Sequence, residues 1–144
     1  MKQPWIFKMD EKIFIGQAVT GCDFEKIKKE SLEIINLLKE KGYHPYCTLC
    51  EADSFQSKTK KEKFKHAFNL IDKNDVFLAI VRNENKSEGM LIEIGYSLAK
   101  NKRIILMINK NVKNTYLPEM FDETIQFKDS EDLIDKIKEL RLKW

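Results

Sequence analysis

The chain has 144 residues, 42% of them apolar, and sets 26 Lys+Arg against 23 Asp+Glu for a formal charge of +3. That length closes one hydrophobic core but is too short for two independent ones, and its composition excludes an intrinsically disordered chain. The near balance of charge argues against nucleic acid as the main partner. The longest apolar run, Val76–Val81, is six residues, where a membrane helix needs roughly 20. The opening Met-Lys-Gln-Pro-Trp carries no signal-peptide core. Three cysteines cannot all pair, so a cytoplasmic protein with free thiols is expected.

Residues 1–10 read as an N-terminal extension and residues 11–144 as a single domain. Residues 12–16 form a short buried strand, followed by a loop to Cys22. Asp23 is placed to cap a helix whose apolar face carries Ile27, Leu32, Ile34, Ile35, Leu37 and Leu38, and which stops at Lys41-Gly42. Residues 43–49 read as a second strand, and Pro45 puts it at a sheet edge. A basic helix follows over 57–73, with Phe64, Ala67, Phe68, Leu70 and Ile71 turned inward. The unbroken apolar run at 75–81 predicts a strand covered on both faces. Ser87 caps a helix to about Asn101, 103–108 is another buried strand, and a short helix lies near Pro118. A strand at 124–127 and an amphipathic helix from Ser130 to about Leu142 complete the chain.

This alternation predicts an α/β fold: a doubly wound, flavodoxin- or Rossmann-like parallel sheet of five strands, with helices on both faces. The expected order, 2-1-3-4-5, puts the switch point between the first and third strands, where ligands of such sheets sit at the carboxyl ends. The loops at 16–22 and 82–89 are therefore the ones that matter.

Chemistry concentrates in the helix opening at Ser87. From Met90 to Ala99 it shows apolar side chains nearly all round, which predicts burial, yet Glu93 stands in their midst. An ionised carboxylate there costs several kcal/mol unless donors or a cation meet it, which marks it as a candidate functional group. The Ser87 hydroxyl and the first-turn N–H groups suit an anion. Gly89 and Gly95 weaken the helix by about 1 kcal/mol each relative to alanine, as if something must approach the backbone. Helical spacing puts Gly89 and Glu93 on one face.

Cys47-Thr48-Leu49-Cys50 reads most simply as small buried residues around a strand end. A zinc site usually wants two such pairs, or Cys22 with His44 or His66 gathered in, and a redox pair wants its first cysteine at a helix start. The lysines of 58–65 read as a solvated helix face. No aspartate cluster marks a phosphoacceptor site, and the segment 16–21 has only the outer glycines of a dinucleotide fingerprint.

The strand at 75–81, then Ser87-x-Gly89-x-x-x-Glu93-x-Gly95-Tyr96-x-x-Ala99 and Lys102-Arg103-Ile104, resembles the nucleoside 2-deoxyribosyltransferases and the related 2-deoxynucleoside 5-phosphate N-hydrolases, over roughly residues 12–108. The resemblance implies N-glycosidic hydrolysis or transfer on a nucleoside or nucleoside 5-phosphate, with Glu93 at the anomeric carbon and no cofactor or metal. It implies substrate contacts from Phe14, Gly16, Gln17, Ser87, Gly89 and Met90, with Ser87 meeting the 5-phosphate. It also implies a homodimer whose pockets are completed by a neighbouring subunit, through residues 114–121. Two positions depart from the family pattern: an aspartate serving the leaving base or sugar is Ala67 here, and a tyrosine of the first strand is Phe14. Asp23, Glu51, Asp53 and His66 are the remaining candidates for protonating the base. A nucleotide-sensing module and a Toll/interleukin-receptor-like NAD glycohydrolase are the alternative functions.

Overall fold

The computed structural model describes residues 11–50, 58–121 and 123–142. The N-terminal extension, Glu51, Asp53 and the expected helix start at Ser57 lie outside these residues. Five strands form one parallel sheet in the order β2-β1-β3-β4-β5, as predicted. They are β1 Lys12–Gln17, β2 His44–Cys47, β3 Val76–Val81, β4 Arg103–Asn109 and β5 Thr124–Phe127. The helices are α1 Phe24–Glu40, α2 Lys60–Lys73, α3 Glu88–Ala99, α4 Leu117–Met120 and α5 Ser130–Glu139.

The strands' alternation sorts the core into two halves. Ile13, Ile15, Leu78, Ile80, Ile105 and Met107 pack under α1 and α5. Phe14, Phe77, Ala79, Val81, Leu106 and Ile108 face the other way, under α2 and α3. Burial on both faces explains why β3 and β4 read as continuous apolar runs.

The helix boundaries follow local chemistry. The Asp23 side chain accepts from the Lys26 N–H at 3.3 Å, as its capping role requires. At the other end of α1, the Tyr43 N–H returns to the Leu38 carbonyl and the Gly42 N–H to that of Lys39, which closes the helix in a Schellman motif. Leu32 departs from expectation: it is 48% exposed, because it sits about 140° round the helix from Ile27. Among the described residues, α2 begins at Lys60 and is closed by a reciprocal capping box between Thr59 and Glu62. β2 is shorter than predicted, since the chain turns at Thr48 into a 3-10 turn, Thr48–Cys50.

α3 is held on the sheet by its far end. The Tyr96 hydroxyl reaches both Asp72 carboxylate oxygens at 2.9 Å, and its ring stacks on Phe68 with centroids 4.2 Å apart. Lys102 donates to the Asp72 and Asn74 carbonyls at 3.0 Å each. Tyr96→Phe should therefore lower unfolding stability by about 1 kcal/mol, read as a reduced denaturant midpoint at unchanged slope. An unmoved midpoint would show that the hydroxyl does not pin α3.

Candidate active site

The carboxyl ends of β1 and β3 meet at the switch point, and two loops clasp each other across it. Asn83 donates to the Thr20 carbonyl at 3.1 Å and to the Cys22 sulfur at 3.3 Å. Asn85 donates to the Thr20 carbonyl at 3.4 Å, and its backbone N–H returns to the Asn83 side chain at 2.9 Å. Gly21 makes this possible: its φ is +77°, and a Cβ there would stand 2.2 Å from the Asn85 amide nitrogen. Glu84 accepts from the Lys113 and Asn114 N–H groups, so a third loop joins the rim.

Beside the start of α3 lies a hollow of about 30 Å³ lined by Ala18, Val81, Asn83, Ser87, Met90 and Leu117, among others. That is room for about one or two waters, so this hollow by itself does not hold a nucleoside. The Ser87 hydroxyl opens on the hollow while accepting from the Met90 N–H at 3.3 Å. Glu93 is not part of its lining and stands about one turn further along α3.

Glu93 instead reaches the end of β1. Its Oε1 lies 3.4 Å from the point where a Cβ on Gly16 would be, and that point is already within 2.3 Å of the buried Phe77 ring. Only glycine at position 16 leaves room for ring and carboxyl together. The residue as a whole is half-buried, but its carboxyl end is desolvated. Burial first, and the negative charge of Cys47 second, push the Glu93 carboxyl up to about 7. Among the described residues no cation pairs with it.

The other sequence candidates fall into distinct places. Phe14 lies in the interior, 1% exposed and stacked on Phe77 with centroids 5.6 Å apart, so it forms the floor under Gly16. The Gln17 amide turns toward the α1 side, donating to the Ser31 hydroxyl and to the Cys47 sulfur, the latter at 3.5 Å. Gly89 is half-buried, where a Cβ would meet Phe64 at an ordinary 3.9 Å, and at Gly95 a Cβ would meet nothing within 4 Å. Among the described residues neither glycine is required by a close approach within the chain, and the space over Gly95 is open. Ala67 is buried and brings no polar group, while His66 lies edge-on to Tyr46 with centroids 6.4 Å apart. Among the described residues no three His, Cys, Asp or Glu side chains gather as a metal set.

A doubly wound parallel sheet with a desolvated carboxylate at its switch point defines a domain of the α/β class, whose ligands ordinarily sit at that edge. Residues 19–131 match the family described as nucleoside 2-deoxyribosyltransferase, and the chain belongs to that family. Among solved structures, the CMP N-glycosidase BcmB of Clostridium botulinum is similar over 90% of this chain and 100% of its own, at 22% identity and a TM-score of 0.67. The 2-deoxyribosyltransferase of Bacillus psychrosaccharolyticus shares 17% identity over 86% and 90% of the two chains, with a TM-score of 0.62. The Leishmania mexicana 2-desoxiribosyltransferase shares 17% identity over 68% and 64%, with a TM-score of 0.53. No curated protein matches the sequence.

A carboxyl raised from 4.5 to about 7 binds its proton more tightly in the folded state, so its contribution to stability is present below pH 4.5 and lost as pH rises through 7. Glu93→Gln, which mimics the protonated acid, should be more stable than wild type at pH 8, by up to about 3 kcal/mol. The difference should vanish at pH 4. Parallel denaturation curves at both values test this, and a variant less stable at pH 8 would contradict the burial of the charge.

Proposed function

We propose that the chain cleaves or transfers the N-glycosidic bond of a nucleoside or nucleoside 5-phosphate, with Glu93 at the anomeric carbon. The observation that carries this is the Glu93 carboxyl held against Gly16 with no cation among the described residues to neutralise it. As the bond breaks, its electron pair leaves with the base and positive charge grows on the sugar. An ionised carboxylate facing that carbon attacks it or stabilises the oxocarbenium-like state, and water or a second base completes the reaction. Ser87, with the first-turn N–H groups of α3, receives the 5-phosphate; Gly16, Gly89 and Met90 form the bed of the sugar, and Phe14 and Gln17 support it from beneath.

Because the acting form is the ionised one, base release should rise with pH and level off above an apparent pKa near 7. Glu93→Gln should lower the rate by at least about 10²-fold while leaving ligand affinity within a few-fold. The test is a panel of nucleosides, their 5-phosphates and NAD, with free base followed by chromatography. Ala67 and Phe14, in place of the family's polar groups, favour one second reading, a sensing module that binds but does not cleave. Measurable binding with no free base from any panel member would select it, and cleavage confined to NAD would select the glycohydrolase.

The site is completed by a second copy of the chain. α3 is apolar all round, but within one chain Leu91, Ile92 and Leu98 are 45%, 44% and 39% exposed, which corrects the expectation of full burial. Tyr116 and Met120, in the segment expected to reach a neighbour, are also exposed. A second α3 laid over the open backbone at Gly95 would cover this face and wall the hollow at Ser87. Leu91→Glu should give a monomer by sedimentation and abolish base release; a wild type that sediments as a monomer at micromolar concentration while active would refute it.

A further inference from the structure

Cys47 ends β2 in register with Ile15 of β1, and the chain then turns through Thr48–Cys50. In a 3-10 turn, side chains three residues apart eclipse, which brings Cys50 to the same side of the chain as Cys47. The Gln17 amide donates to the Cys47 sulfur at 3.5 Å. Hydrogen bonding, from the Cys50 side first, outweighs burial and holds the Cys47 thiol down at about 7, while the Cys50 thiol is raised. The first cysteine thus stands at the entry to a single 3-10 turn, with the second three residues on. Gln17 adjoins Gly16, where the Glu93 carboxyl lies, and the Cys47 charge is felt at Glu93.

We propose that Cys47 and Cys50 form a reversible thiol–disulfide couple beside Glu93, and that oxidation by a hydroperoxide removes a thiolate's negative charge from the neighbourhood of that carboxyl. The Cys47 thiolate attacks a peroxide oxygen, the O–O bond breaks, and hydroxide leaves to be protonated to water. The resulting sulfenic acid is attacked by the Cys50 sulfur, which gives up its proton, and a second water departs as the S–S bond forms. The two sulfurs together lose two electrons and the peroxide gains them. Cys47 is 3% exposed and Cys50 half-buried, which restricts the couple to small oxidants.

The consequence for activity rests on the reading of Glu93 given above, whereas the couple itself does not. The test uses the full chain, reduced and then exposed to hydrogen peroxide. Alkylation and peptide mass mapping should find Cys47 and Cys50 unalkylated and joined, two hydrogens lighter, and restored by dithiothreitol. The Glu93 carboxyl, followed by carbon NMR, should titrate near 7 when reduced and at lower pH when oxidised. Cys50→Ser should form no such disulfide, stop at a Cys47 sulfenic acid that dimedone traps, and keep wild-type activity when reduced. Full alkylation of both thiols after peroxide overturns the couple, and a disulfide that leaves the Glu93 midpoint unmoved overturns its link to the site. Should disulfide and shift both occur in a protein that releases no base in either state, the catalytic reading fails and the couple stands.

Discussion

The approach of the Glu93 carboxyl to the backbone of Gly16 constrains everything around it. Three elements must agree for that contact to exist. β1 must end in a residue without a side chain, β3 must lay the Phe77 ring across the gap on its Phe14 floor, and α3 must be held at one rotation and height. Taking a carboxylate out of water opposes folding, so the agreement has to be maintained by contacts that have nothing to do with the carboxylate. Met90 and Ile94 supply the apolar anchors of α3, and Tyr96 and Lys102 fix its far end to α2. One short motif therefore holds residues with separate roles, since Glu93 carries the chemical group while Tyr96 and Lys102 carry the mount.

The rim is built on a different principle. Its loops are joined by the side-chain amides of Asn83 and Asn85, by Glu84 on the backbone of the loop after β4, and by Lys86 on the Asn114 carbonyl. Glu84 and Lys86 thus both bind main-chain partners. Side-chain bonds of this kind at exposed loops are each worth about 1 kcal/mol or less, against a sheet whose central strands are buried on both faces. A rigid floor under a rim held by individually weak bonds is the arrangement in which loops can rearrange around a ligand while the carboxylate stays in place.

The sheet order, the role of Asp23, the stop at Gly42 and the singularity of Glu93 are legible in the sequence because each depends on local periodicity or on one residue's chemistry. What escapes depends on partners distant in sequence. The cost of glycine at 89 and 95 is readable as a helix penalty, but not that the space over Gly95 is open, which depends on what packs there. An apolar α3 reads as a buried one, although the uncovered side of Leu91, Ile92 and Leu98 is set by the extent of the neighbouring helices. Gln17 reads as facing the nucleotide, whereas strand alternation turns its side chain through the sheet toward Ser31 and Cys47. The same alternation would indicate that turn from sequence, but only once β1 is known to extend through Gln17 rather than ending at Gly16.

That one-residue extension joins the two faces of the sheet. Cys47 belongs to the core half under α1, while α3, which bears Glu93, covers the other half. A sheet ordinarily separates such groups by a layer of side chains, but at its carboxyl edge Gly16 provides none. The negative charge of Cys47 then reaches the poorly solvated Glu93 carboxyl and helps to hold its proton on. With both groups ionised, their field disfavours a further anion beside Glu93 and favours a carbon becoming positive.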